Sequence, residues 1–129
     1  MAGIIFIRTV NLQKIRSFYT ETVGMKIWLE QPGIVILSHE NMLLGFQESE
    51  AADCDSLLTF WLRTREEVDG MYKLLSNTAL TVPKENDQYG IYNFFATDPD
   101  ERRIEFQAFL HPTKMVSGVP PLTGEKEVD

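Results

Sequence analysis

Glu105, Arg103 and Arg8 carry most of the chemistry this chain could offer. Glu105 lies in Arg103-Ile104-Glu105-Phe106-Gln107, where polar and apolar residues alternate. In a strand, that two-residue period puts Arg103, Glu105 and Gln107 on one face and Ile104 and Phe106 on the other. A carboxylate so placed can pair with a cation, act as an acid or base, or anchor a cationic ligand. Neighbouring arginines favour its ionised form and make it a poor general base, so pairing with Arg8 or Arg103 is the expectation. Two arginines against one acid would then leave one planar guanidinium to grip a ligand carboxylate or phosphate. Cys54 sits among Glu48, Asp53 and Asp55, whose charges raise a thiol pKa, so it is not read as a nucleophile. His39, in a turn, and His111, beyond the last strand, read as solvated surface residues. No nucleophile–base pairing and no phosphate-cradling glycine loop is visible: Gly90 and Gly118 stand alone and Gly70 falls inside a helix.

The bulk composition limits what these residues can serve. With 129 residues, 43% of them hydrophobic, the chain can bury the core of one globular domain. Nineteen acids against twelve bases give a net charge of −7, which repels nucleic acid phosphates and anionic lipid, so neither nucleic acid nor membrane is an expected partner. A single cysteine forbids an internal disulfide. No basic leader precedes the first strand-like run and no apolar stretch approaches the ~20 residues of a membrane span, so a cytoplasmic protein is expected.

Residues 3–9 read as a buried strand. Asn11 can cap a helix whose apolar face is Leu12, Ile15, Tyr19 and Val23, and Gly24 fits the left-handed position that ends it. Strands follow at 25–31, 34–37 and 42–47, with turns at Pro32-Gly33 and at residues 38–41. Residues 48–56 are acidic and small, a linker, and the order of elements then starts again. A strand at 57–63 leads to the capping box Thr64-Arg65-Glu66-Glu67 and a helix with Val68, Met71, Tyr72 and Leu75 on one face, ending near Asn77. Strands at 79–82, 89–97 and 102–110 complete the second half, the last two joined by the turn Asp98-Pro99-Asp100-Glu101. Residues 38–47 can be laid over 98–107, both ending in Phe-Gln after a turn of equal length. The tail, 111–129, has little to bury and is expected to be poorly ordered or draped over the surface.

Asn11-Leu12, then Phe18-Tyr19, then Val23-Gly24 resembles the first-helix signature of the vicinal oxygen chelate superfamily, which holds glyoxalases, bleomycin resistance proteins and extradiol dioxygenases. Tyr89-Gly90, Phe94-Phe95, Asp98-Pro99-Asp100 and Ile104-Glu105-Phe106 are similar to its final hairpin. The likeness covers residues 3–110, with Asn11 in place of the usual aspartate and Glu101-Arg102 in place of the usual Gly-Asn. It implies an α+β fold of two βαβββ modules, at 3–48 and 57–110 of a single domain spanning 1–110. Their curled mixed sheets would surround a cup-shaped pocket.

Strand alternation then nominates the pocket wall: Ile4, Phe6 and Arg8; Leu43, Gly45 and Gln47; Leu57, Thr59, Trp61 and Arg63; Arg103, Glu105 and Gln107. Ligand binding is assigned to Phe6, Arg8, Gln47, Thr59, Trp61, Arg103, Glu105 and Gln107, with Glu105 the candidate catalytic residue. Phe6 and Trp61 could stack on an aromatic ligand, although simple core packing is the more usual use of a buried aromatic. Metal-using relatives carry ligands at positions that hold Ile4, Gly45, Leu57 and Glu105 here, and one carboxylate cannot offset a divalent ion's dehydration. No metal and no cofactor is therefore expected. The resemblance so read implies a metal-independent small-molecule binding protein. The alternatives are a metal-dependent lyase, isomerase or dioxygenase drawing on Gln47 with Glu105, or a metal-free enzyme in which Glu105 or Tyr92 moves a proton. It also implies a homodimer whose pockets combine Phe6 and Arg8 with Trp61, Arg103 and Glu105 across the chain boundary.

Overall fold

The computed structural model describes residues 1–116 and 118–119, so most of the expected loose tail lies outside the described residues. The chain divides into two compact units. The first is Met1–Ser56 together with Asp98–Arg102; the second holds Leu57–Thr97 and the described residues from Arg103 onward.

The first unit is β1 (Ile5–Thr9), α1 (Leu12–Ser17), a π-helical turn (Phe18–Thr22), β2 (Lys26–Gln31), β3 (Ile34–His39) and β4 (Met42–Glu48). Asn11 caps α1 as expected, its side chain accepting from the Lys14 N–H. The helix does not run straight to Gly24. It widens after Ser17, the Val23 N–H reaching back five residues to the Phe18 carbonyl, and the chain turns out through Gly24 at φ +94°. The strands order β1-β4-β3-β2, with β1 parallel to β4 and the rest antiparallel. Ile7, Val35, Leu37, Leu44 and Phe46 pack beneath α1, and Tyr19 stacks on Phe46 at 5.0 Å.

The second unit repeats the order with β5 (Leu58–Leu62), α2 (Arg65–Leu74), β6 (Lys84–Asn86), β7 (Ile91–Thr97) and β8 (Arg103–Phe109), in sheet order β5-β8-β7-β6. Thr64 caps α2 by accepting from the Glu67 N–H, while the Glu67 carboxylate accepts from the Arg63 N–H, one residue before the position a capping box uses. Phe106 stacks between Phe60 and Phe94 at 5.2 and 5.4 Å, and Val68 and Tyr72 of α2 close this core. One strand is misplaced by the sequence reading. The expected strand at 79–82 makes only a single bridge, Ala79 to Ala96, and the ladder forms instead at β6, whose side chains are mostly exposed and so carry no hydrophobic signal. Both modules are therefore βαβββ, and the protein is α+β with two four-stranded mixed sheets.

Candidate functional site

Each sheet has one face under its helix and one face open. In the second unit the open face follows from three registers: Thr59 lies opposite Glu105, Phe95 opposite Glu105, and Asn93 opposite Gln107. Glu105 is only 7% exposed, and the partners that hold it are neutral. The Thr59 hydroxyl donates to Oε1 at 2.8 Å and the Asn93 amide to Oε2 at 2.7 Å. The carboxylate faces an open cleft of about 790 Å³. Asn93, Glu105 and Gln107 supply its polar floor, Leu57, Ile91, Phe95 and Phe109 its apolar walls, and Lys84, Asp87 and Tyr89 sit among its remaining lining. A mostly apolar concavity with a few convergent polar groups is the usual form of a small-molecule site.

The expected pairing of Glu105 with arginine does not form. Arg103, two residues away on the same face, lays its guanidinium over the Phe95 ring at 4.4 Å from the centroid. Arg8 is clamped to Asp53, its Nη2 donating to Oδ1 at 2.7 Å and its backbone N–H to Oδ2 at 2.9 Å. The Asp53 carboxyl is lowered to about 2 by these hydrogen bonds, side chain first and backbone second. Sequence reasoning missed Asp53 as the partner because the linker has no periodicity to orient it. Tyr92, offered as a proton carrier, points to the opposite face of its strand from Asn93, donates to Asp69 of α2 at 2.7 Å and is held above its ordinary value first by that bond. It takes no part in the cleft.

Of the other nominated residues, Gln107 lines the cleft and Thr59 reaches it through Glu105, whereas Trp61 packs edge-on against Phe109 at 5.8 Å, outside the lining. Phe6, Arg8 and Gln47 fall on the open face of the first unit's sheet. Phe6 is 49% exposed rather than core, and its ring lies so close over Gly45 that a Cβ there would stand 2.6 Å from two ring carbons. Asn93 and Phe95 were not nominated, although the same two-residue period in β7 puts them beside Gln107 and Glu105. His39 ends β3 and is exposed; His111 is exposed but lies against Phe109 and Gly90. The exposed Cys54 thiol is raised, first by desolvation and then by Asp100, Asp98 and Asp55 against the opposing pull of Arg102.

The first unit's polar centre is elsewhere. Arg102, fully buried, pairs with Asp98, donates to the carbonyls of Asp53 and Arg8 at 2.8 and 2.9 Å, and reaches Asp100 at 3.4 Å. The Tyr19 hydroxyl donates to the same Asp98 carboxylate at 2.7 Å, and burial raises its pKa steeply. With every buried side-chain polar atom of the described residues satisfied, this knot reads as architecture.

The four positions at which the resemblance read from the sequence implies metal ligands hold Ile4, Gly45, Leu57 and Glu105, three of which have no side-chain donor. Among the described residues no three His, Cys, Asp or Glu side chains converge as a metal site would require. Those four positions offer a single carboxylate, which is not the donor set of a divalent site. No helix among the described residues is long and apolar enough to cross a membrane.

Solved structures share this architecture. The chain superposes on a glyoxalase-related enzyme from Fulvimarina pelagi with a TM-score of 0.75 over 92% of this chain and 95% of that one, at 16% identity. The chain has the glyoxalase/bleomycin resistance/dioxygenase fold. A glyoxalase/bleomycin resistance protein/dioxygenase family enzyme from Burkholderia phytofirmans PsJN matches with a TM-score of 0.74 at 21% identity, covering 83% of this chain and 97% of that one. Lactoylglutathione lyase from Agrobacterium tumefaciens matches at 0.68 and 16% identity, over 84% and 92%. No protein-family model matches the chain, and no curated protein matches it by sequence.

Proposed function

We propose that the chain is a metal-independent small-molecule binding protein, working as a single glyoxalase-like domain over residues 1–110. The observation that carries this reading is the second unit's cleft, where Glu105 is bonded by Thr59 and Asn93 among apolar walls while the other superfamily ligand positions are Ile4, Gly45 and Leu57. Such a cleft offers shape, apolar surface and one fixed charge, which suffice for binding and orientation. A single exposed cysteine fits a reducing compartment such as the cytoplasm. We also propose a homodimer, since each unit leaves large apolar side chains in solvent, Phe6 and Trp28 in one and Leu57 and Tyr89 in the other.

The test is elemental analysis of untagged protein together with mass spectrometry of small molecules released on denaturation. The expected result is far less than one divalent ion per chain and a stoichiometric organic ligand. Added zinc, nickel or iron should leave the melting temperature unchanged, because only an ion that binds the folded state raises stability by RT ln(1 + [L]/Kd). Turnover of hemithioacetals or catechols that chelator abolishes would overturn the reading in favour of a metal-dependent enzyme. Light scattering should give about twice the 14.8 kDa chain mass.

A further inference from the structure

We infer that the second unit's cleft recognises an organic cation, a protonated amine carried on an apolar and preferably aromatic body, with Glu105 as its counter-ion. The inference rests on the proposed binding function and names the ligand class that function would serve. A carboxylate offers about four lone-pair sites, and Thr59 and Asn93 occupy two of them, one on each oxygen. Both donors are neutral, so they fix the carboxylate's orientation without cancelling its charge. Glu105 is 7% exposed, and a carboxylate so placed is best met by a counter-charge and further hydrogen bonds, both of which a ligand ammonium would supply.

The two arginines expected at Glu105 are committed elsewhere. Arg8 is bonded to Asp53, in the other unit, and Arg103 is spread over the Phe95 ring. In the cleft lining one cation, Lys84, stands against three acids, Glu85, Asp87 and Glu105, and Glu85 is already bonded to Arg65 at 2.8 Å. Lys84 is exposed, whereas Glu105 is buried, so the floor is negative and the one positive group is screened by water. Phe109 and Tyr89 bring aromatic rings to the same lining, and aromatic faces attract cations through their quadrupoles. That this environment suits a cation is already visible in Arg103 on Phe95. A carboxylate or phosphate ligand would meet the same floor as a repulsive site.

The experiment uses three probes on the same phenylethyl body with different charge: 2-phenylethylamine, 2-phenylethanol and 3-phenylpropionate. Each is titrated into the full chain by calorimetry at pH 7 and low salt. The amine is expected to bind at least about tenfold more tightly than the alcohol, and the propionate more weakly than either. Glu105→Gln keeps the shape and should reduce the amine's advantage to about threefold or less. Should that variant fail to fold, the amine-to-alcohol ratio in the wild-type protein decides alone. Alcohol or propionate binding as tightly as the amine, or an amine affinity unchanged by Glu105→Gln, would overturn the cationic assignment and leave small-molecule binding standing. No binding of any probe at about 10 mM, together with no co-purifying organic molecule, would sink both.

Discussion

Replacing Arg102 with methionine should be among the most damaging single substitutions in the chain. The guanidinium is fully buried, and its partner Asp98 is fully buried with it. Methionine fills similar volume but leaves the Asp98 carboxylate with the Tyr19 hydroxyl and the backbone N–H groups of Asp100 and Arg102 as its donors. Breaking a buried ion pair by removing one member costs about 3–5 kcal/mol, mostly for the stranded charge. The carbonyls of Arg8 and Asp53 also lose their guanidinium donor, at 2.9 and 2.8 Å, and being only partly buried they can turn to water. A total of about 4 kcal/mol corresponds to a fall of roughly 12–20 °C in melting temperature for a domain of this size. Urea unfolding should show a lowered midpoint at unchanged m, with calorimetry giving the temperature shift. If the stranded charge is the cause, Asp98→Asn added to Arg102→Met should recover part of the loss. A single variant within about 1 kcal/mol of wild type, or a double variant no better than the single, would refute the reasoning.

Tyr19→Phe removes one neutral donor from the same carboxylate and keeps the ring on Phe46, so it should cost about 1.5–3 kcal/mol by urea unfolding. The Asp53 carboxyl has a folded value of about 2 against 3.8 unperturbed, so its clamp on Arg8 contributes fully above pH 3.8 and is lost as pH falls toward 2. An NMR titration should show that low value, and Arg8→Ala should return it toward 3.8; an unmoved midpoint would remove Arg8 as the cause. Gly45→Ala puts a methyl against the Phe6 ring, which is half-exposed and can swing away. It should therefore cost no more than about 1 kcal/mol while shifting the Phe6 ring resonances, and a larger loss would mean the ring is pinned.

Legibility from sequence followed periodicity and failed where none existed. The Asn11 and Thr64 caps, the Gly24 exit and seven of the eight strands have local signals, because each depends on residues within one turn or one pleat. β6 has no such signal, since an edge strand of Lys84, Glu85 and Asn86 is specified by its partner β7 rather than by its own side chains. The π-helical turn was equally hidden, because Ile15, Tyr19 and Val23 recur at ordinary helical spacing, and the bond from the Tyr19 hydroxyl to Asp98 joins residues far apart in sequence. In the candidate site, the face of Glu105 was readable but its bonding was not. Charge arithmetic assigned it an arginine, whereas three-dimensional proximity gave Arg8 to Asp53 and Arg103 to an aromatic ring.

The two modules make the point in one comparison. Their ladders run in the same register: Ile5 faces Leu44 as Leu58 faces Ile104, so Phe6 and Gly45 occupy the places of Thr59 and Glu105. On the third strand Ile36 stands opposite Gly45 where Phe95 stands opposite Glu105, and Ile34 opposite Gln47 where Asn93 stands opposite Gln107. One backbone lattice thus carries two chemistries. In the first module a glycine lets an aromatic ring lie flat on the sheet, and the position becomes an apolar cover with no donor. In the second the same position is a carboxylate steered by a hydroxyl and an amide. The open face of the second module thus joins one buried carboxylate to apolar surface, whereas the same place in the first carries only a glycine under a ring.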